Sequence, residues 1–565
     1  MAALDSKLQN GIALHRRGKI AEAERVYIEM LRYEPQHFIA LRLLGLITLQ
    51  RNKTALRYLE NELTTYDRAI ARKPNDANGY ASRGRVLMKL ERYEDALASF
   101  KVAMALKADY EFLCSHLLHT RMRICDFSNI DTELAWITRS IMRGEKAGCP
   151  FHIMALSNSL EVLRKTAEIW IRRQRAAHAA LPSIPKRPAQ KRIRIGYFSA
   201  DFFNHPTMHL MAELIEKHDR SRFELFAFSF GGEHNDELRR RAMASFENFI
   251  DVTNKSNKDV ALLSRNLEID IAVDLMGLHF GARTGIFALR AAPIQINYLC
   301  YPGTMGAEYI DYIIADPIVI PEESKQHYCE KIVYLPNSYQ VNDTKRSISD
   351  KAPTREELRL PPTGFVFCCF NRNFKITPHV FSGWMRILKQ VEGSVLWLLE
   401  DNAQAASNLR MEASTRGVDA ARLIFAKHIP TDEHIARYRF AHLFVDTSPC
   451  NAHTTASEAL WAGLPVLTQI GATFAGRVAA SLLKAIGLPE LITESQSDYE
   501  ARAIALAVSP EELSTIKNKL ARNRLTTALF DTERYTRQLE AAYQVMYERY
   551  HAELPPDHIY ISRLE

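Results

Sequence analysis

The amino-acid sequence predicts an α-helical repeat solenoid followed by two successive Rossmann-like α/β domains. Three observations carry that expectation. Small and aromatic residues recur at helix-pair spacing before residue 110. A proline-bearing stretch from Leu181 to Gln190 breaks the helical pattern. Beyond Ile193, short apolar runs alternate with helical segments, as βαβ units around a parallel sheet require.

Bulk composition agrees. A chain of 565 residues is too long for one core and calls for about three domains. Its 47% apolar and 25% charged residues are the balance of an ordinary soluble globular protein. The net charge of +7 is not gathered into one stretch, which argues against nucleic acid as a partner and suits anionic small-molecule substrates. The one basic run, Lys186 to Arg192, reads as a solvated linker. No apolar stretch is long enough to span a membrane, and Met1 to Lys7 lead into no signal-peptide core. The eight cysteines form no C-x-x-C pair and several sit in apolar runs, so a reducing, cytoplasmic setting is expected.

In the solenoid, Gly11, Ala23, Tyr27 and Pro35 have the spacing of one tetratricopeptide (TPR) unit, and Gly45 follows Gly11 by the 34-residue TPR period. Gly84, Ala96, Phe100 and Ala103 repeat the pattern, with about five extra residues in the middle unit, placed between Gln50 and Leu63. The small residues let paired helices approach, the aromatic fills the gap, and Pro35 or Pro74 ends a second helix. Residues 1–110 are therefore assigned to TPR repeats, whose concave surface suits acceptor proteins or peptides as partners. Residues 111–185 read as a helical adaptor that ends the solenoid.

Residues 193–345 form the first α/β half, with apolar runs at Ile193–Ser199, Phe223–Phe230, Ile269–Met276, Ile294–Cys300, Tyr309–Ile314 and Lys331–Leu335. A polar stretch from Val341 to Gly364 separates these from a second half at 362–552, with runs at Phe365–Phe370, Val395–Leu399, Leu423–Ala426, Leu443–Asp446 and Pro465–Thr468. Ligands of such sheets bind beyond the carboxyl ends of the strands. Gly196 stands alone without a G-x-G-x-x-G, against a dehydrogenase, and the missing leader argues against a periplasmic binding protein. No Asp-x-Asp occurs, so a bound diphosphate must be neutralised by protein cations and helix dipoles rather than by a metal clamp.

The segment Asp446 to Gly463 reads as strand end, loop and a helix beginning near His453. Thr454 and Thr455 then occupy the first turn, where backbone N–H groups and hydroxyls favour an anion, and Glu458 lies one turn on, where it suits ribose hydroxyls. A well-capped helix accounts for the same residues equally well. Lys375 follows the first strand of the second half, where its ammonium reaches a diphosphate, or else lies on the surface. His434 and Arg437 share a helix face, fit for stacking on a nucleobase and bonding its edge, or for a solvated face. In the first half, Pro206 at the first helical position puts His205 at the N-cap, with the neutral imidazole favoured. There it assists a hydroxyl nucleophile or holds a sugar, while His209 packs. The loop Leu299 to Gly306, with Gly303 and Thr304, offers close backbone approach to a sugar.

These segments together resemble the O-GlcNAc transferase family, which includes plant SPINDLY. The resemblance runs from about Ile193 to Tyr550 behind TPRs, through Asn204-His-Pro-Thr207, Phe287–Gln295, Tyr301-Pro-Gly-Thr304, Ser394–Leu399, Asn451-Ala-His-Thr-Thr455 and Leu460-Trp-Ala-Gly463, with Cys125-Asp-Phe127 in the adaptor. It implies a GT-B fold and an inverting transfer of GlcNAc from UDP-GlcNAc to protein Ser or Thr, with no metal or other cofactor beside the UDP-sugar. By motif, His205 matches the active-site histidine and Lys375 the diphosphate lysine. His434 matches the histidine on the uracil and Arg437 a nearby donor-site arginine. His453, Thr454 and Thr455 match the diphosphate and sugar contacts, and Glu458 the acidic ribose ligand. Three positions depart: Arg372 replaces a glutamine of the animal enzymes, Thr431 a lysine near the base, and Arg265 a second histidine. Donor and general base thus stay open, with GDP-fucose or another UDP-hexose as alternative donors and an inactive scaffold as the third reading.

Overall fold

The computed structural model describes residues 2–16, 23, 26, 27, 29, 30, 57–107, 110–175, 181–351 and 353–563. They divide into two compact units, residues 1–109 with 233–240, and residues 110–232 with 241–565.

The first unit contains the helices Ala2–Arg16, 57–72, Ala77–Lys89 and Tyr93–Ala105. Its repeat spacing has a direct physical content. A Cβ on Gly84 would lie 2.5 Å from the Phe100 ring, and one on Gly11 would lie 2.4 Å from the Tyr27 ring. Ala23, Tyr27, Ala96 and Phe100 are wholly buried. Each glycine thus makes room for the aromatic of the following helix. Pro74 lies just past the end of the 57–72 helix. Pro35, Gly45 and positions 50–56 lie outside the described residues.

The second unit opens with the adaptor helices Leu113–Arg123, Ile130–Met142, Pro150–Met154 and Leu160–Arg175. The strands β1 (Ile193–Ser199), β2 (Phe223–Ser229), β3 (Asn248–Asp251), β4 (Ile271–Asp274), β5 (Ile294–Asn297), β6 (Tyr312–Ala315) and β7 (Lys331–Tyr334) follow. Next come β8 (Val366–Cys369), β9 (Val395–Leu399), β10 (Leu423–Ala426), β11 (Leu443–Val445), β12 (Val466–Gln469), β13 (Ile492–Thr493) and β14 (Ile559–Tyr560). The first sheet has the order β14-β7-β6-β5-β4-β1-β2-β3, the second β10-β9-β8-β11-β12-β13. All pairings are parallel, which fits strands buried on both faces. Strand order reverses between β1 and β4 in the first sheet and between β8 and β11 in the second. Those are the switch points where crevices open beyond the strand ends.

The structure departs from expectation in four places. The runs at 269–276, 294–300 and 309–314 extend past strands of four residues each, because apolar side chains also line the loops. Short β3, β13 and β14 were not expected, being too brief to show a periodicity. The basic run is not simply solvated, since Lys186 pairs with Glu553, Arg187 with Asp270 and Arg192 with Glu247. Finally, the end of the expected 362–552 half returns to the first sheet. The helix Thr532–His551 packs on the helix Pro206–Lys217, and β14 pairs with β7. Its buried polar groups find their partners there: Tyr543 meets the Tyr197 hydroxyl at 3.1 Å, Tyr535 that of Tyr298 at 2.6 Å, and Glu540 meets His218 Nδ1 at 2.9 Å.

Candidate functional site

At the second switch point, the loop after β8 carries Lys375 in a 3₁₀ turn (Asn373–Lys375), and the loop after β11 runs from Asp446 to His453. Asp446 ties them together. Its buried carboxylate accepts from the Thr468 hydroxyl (2.7 Å), from the backbone N–H of Ala452 (2.6 Å) and from Asn371 Nδ2 (3.3 Å). Burial raises it to about 6. Lys375 Nζ donates to the carbonyl of Asn451 at 2.6 Å and is half-buried, so it is held across the two loops.

His453 is the N-cap of the helix Thr454–Trp461, but no side chain caps that helix start. The first-turn N–H groups at Thr454 and Thr455 therefore have no partner within the helix by geometry, which is what an anion site needs. His453 Nε2 donates to the Ala475 carbonyl at 3.1 Å. Burial, then the nearby Lys375 charge, pushes its pKa down to about 3, so the ring is neutral.

Glu458 is not an isolated acceptor. Arg346 Nη2 meets it at 2.6 Å and His434 Nε2 lies 3.8 Å from its other oxygen. Arg346 comes from the 341–364 stretch expected to be a mere separator. That stretch is partly interior instead, with Val341, Asn342 and Asp343 buried. Asn342 donates to the Leu529 carbonyl at 3.0 Å, which fixes the stretch against the second half. No motif pointed to Arg346.

His434 stands against Phe370 with ring centroids 5.3 Å apart. Its Nδ1 accepts from Arg437, and burial with the adjacent Arg437 charge holds the imidazole far below its usual range. Arg437 itself is 2% exposed, donates to the Lys427 carbonyl at 2.7 Å and lies over the Phe370 ring. Direct bonding to a base edge, expected for Arg437, is replaced by support of His434, because the guanidinium is enclosed and already engaged. Arg437, His434, Glu458 and Arg346 form one chain of contacts.

At the first switch point, His205 is the N-cap of the helix Pro206–Lys217, with Pro206 at the first helical position as expected. Its Nδ1 accepts from the Thr207 N–H at 3.3 Å. The neutral ring therefore carries its proton on Nε2 and can donate from there. Burial, then the neighbouring His279, lowers its pKa to about 4. Asp201 Oδ2 lies 3.4 Å from Nδ1 and burial raises Asp201 to about 6. His209 Nε2 meets Asn204 Oδ1 at 2.8 Å, so it braces the loop rather than only packing.

The adaptor joins the two crevices. Phe151 touches His279 of the loop after β4 at 4.8 Å and Phe374 of the loop after β8 at 5.6 Å between ring centroids.

Gly303 and Thr304 do not behave as expected of sugar contacts. The Thr304 hydroxyl donates to buried Glu330 at 2.7 Å and accepts from the Gly306 N–H at 3.1 Å. The Gly303 carbonyl accepts from Asn297 Nδ2 at 3.1 Å, and its Cβ position is only in ordinary contact. These groups hold the loop from inside. The glycine that sterics require there is Gly306, at φ +61, where a Cβ would lie 2.6 Å from the Glu168 backbone of the adaptor. Arg265 is locked by the carbonyls of Pro182, Leu289 and Arg290, and Arg372 pairs with Asp401, so neither departure reaches the crevices as a loose side chain.

Two parallel α/β sheets, with a lysine and an uncapped helix start at one switch point and a histidine at the other, define a GT-B glycosyltransferase architecture preceded by TPR helices. The chain belongs to glycosyl transferase family 41, whose sequence profile matches residues 158–352 and 347–539. The tetratricopeptide repeat profile matches residues 8–56 and 63–111. It is 36% identical over 463 residues to the probable UDP-N-acetylglucosamine–peptide N-acetylglucosaminyltransferase SEC of Arabidopsis thaliana, covering 78% of this chain and 47% of that protein. To the UDP-N-acetylglucosamine–peptide N-acetylglucosaminyltransferase of Caenorhabditis elegans it is 29% identical, covering 65% of this chain and 42% of that protein. The chain thus spans about half the length of the curated relatives it matches. The structure of a point mutant of the Thermobaculum terrenum O-GlcNAc transferase superposes with a TM-score of 0.71 at 28% identity, over 97% of each chain. Among the described residues, no helix is long and apolar enough to cross a membrane.

Proposed function

We propose that this protein transfers GlcNAc from UDP-GlcNAc to Ser or Thr hydroxyls of proteins, with inversion and without a metal. The observation that carries the reading is Lys375 held beside the uncapped helix start at Thr454 and Thr455, a paired cation and N–H array suited to a leaving diphosphate. The acceptor oxygen bonds to the anomeric carbon and releases its hydroxyl proton to solvent, the bond to the diphosphate breaks on the opposite face, and UDP departs with the electron pair. Lys375 and the helix start stabilise that developing charge. His205, through Nε2–H, holds a sugar or acceptor oxygen. His434 offers its ring to the uracil, and Glu458, set by Arg346, accepts from the ribose. Gly303 and Thr304 contribute by shaping their loop. The division into TPR repeats (1–110), adaptor (111–185) and two halves serves this reading, with the TPR surface recruiting acceptor proteins in the cytoplasm. A panel of UDP- and GDP-sugars, read by mass spectrometry for hydrolysis and for transfer to acceptor protein, tests it. UDP-GlcNAc should turn over fastest, and preference for GDP-fucose or no turnover of any donor would overturn it.

A further inference from the structure

Behind the two crevice loops, the adaptor gathers an unusual set of side chains. His116 comes from the helix Leu113–Arg123, while Cys149 and His152 belong to the start of the short helix Pro150–Met154. Their ligating atoms all lie within 4.8 Å of one another. Cys149 is 6% and His152 1% exposed, and His116 is half-buried. Cys149 and His152 are three apart at a helix start and so share a face.

One hydroxyl organises both. Ser115 Oγ lies 3.0 Å from His152 Nδ1 and accepts from the Cys149 N–H at 3.0 Å. With Nδ1–H donating to Ser115, His152 keeps a lone pair on Nε2, and among the described residues Nε2 has no hydrogen-bond partner. A buried polar atom left so costs about 1–3 kcal/mol, which makes a plain packing role a poor account of it. His119 stacks on the His152 ring, 4.0 Å away and 5° from parallel, and fixes its plane.

The geometry points to a binding site for a divalent transition cation of the zinc class, held by His116, Cys149 and His152 with a solvent molecule in the fourth position. One thiolate and two imidazoles are the ligand types such a borderline-soft ion takes. Tetrahedral bonds to nitrogen and sulfur place ligand atoms about 3.3–3.6 Å apart, so the present cluster needs a contraction of at most roughly 1.5 Å. Ser115 would be the outer partner that fixes the tautomer of one ligand and the backbone of another. Bound metal would clamp the helix carrying Phe151, the ring that meets both crevice loops, to its neighbour. This site takes no part in the transfer chemistry, and its test reads metal alone.

The experiment titrates the full chain with Zn²⁺ against a chromophoric chelator, and with Co²⁺ followed by absorption. One equivalent of Zn²⁺ should bind, Co²⁺ should give a thiolate-to-metal charge-transfer band, and Zn²⁺ should raise the melting temperature. Cys149→Ser, which keeps a good helix N-cap, should abolish the band and weaken binding more than about 100-fold, and Ser115→Ala should weaken it about 10–100-fold. Absence of stoichiometric Zn²⁺ binding by the wild-type chain overturns the proposal. So does a charge-transfer band or an affinity that Cys149→Ser leaves unchanged. Should Cys149→Ser fail to fold, the wild-type stoichiometry and Ser115→Ala decide the matter.

Discussion

Replacing Lys375 by alanine removes a cation that bridges the β8 and β11 loops. A unit charge about 4 Å from another, at an effective dielectric near 20, is worth about 4 kcal/mol. At about 1.4 kcal/mol per decade, that sets an upper limit near 10³ in rate. The uncapped helix start shares the load, so the expected fall in turnover is ~10²–10³, the range found for removing one preorganised donor. The fall should appear in kcat more than in UDP affinity, because free UDP still meets the N–H groups at Thr454 and Thr455, while the charge that develops on bond breaking does not recover its cation. Lys375→Arg should rescue poorly, since a planar fork does not replace an ammonium seated on the Asn451 carbonyl. Steady-state transfer kinetics with calorimetric UDP binding provide the measurement, with circular dichroism to establish folding. Near-normal turnover of a folded Lys375→Ala protein would show that Lys375 does not stabilise the departing diphosphate and would leave that charge to the helix start.

The other predictions follow from particular contacts. Arg437→Ala should lower donor affinity through a mobile His434, and since it also empties a buried guanidinium site it should lower the melting temperature; Arg437→Ala with unchanged UDP binding would show that His434 needs no such support. Thr304→Val leaves buried Glu330 short of a donor, at a cost of about 1–3 kcal/mol, and should show as a lower melting point with UDP affinity kept; a selective loss of UDP affinity would return Thr304 to the donor site. Because His205 sits near pKa 4, it is neutral from pH 8 down to about 5, so kcat/KM should show no acid limb near 6.5 that His205→Asn removes; finding that limb would contradict the burial argument. Deleting residues 1–109 should reduce transfer to proteins while leaving donor hydrolysis measurable, and unaffected protein transfer by a folded truncation would end the recruitment role.

Much of this protein was legible in its sequence wherever the controlling interaction is local. Gly11 with Tyr27 and Gly84 with Phe100 announce helix pairs, because a missing Cβ and an aromatic at fixed spacing have to meet. Buried parallel strands show as apolar runs, and Pro206 placed His205 at a helix start because φ and the lost N–H act on the residue itself. The loops bearing Lys375 and Thr454 follow strand ends, so their place in a crevice followed from chain direction alone. Tertiary structure alone decided the rest. Arg346 reaches Glu458 across 112 positions, Phe151 of the adaptor joins two loops, and β14 returns to β7 from the far end of the chain. Whether a polar side chain faces ligand or protein is equally hard to read from spacing: Arg437 and Thr304 had the right chemistry for a donor site, yet Arg437 is enclosed on the Lys427 carbonyl and Thr304 is turned inward onto Glu330, 26 positions away. Periodicity is written by neighbours along the chain, whereas the pairing of a buried charge or hydroxyl is set by which distant group the closed fold brings within hydrogen-bond reach.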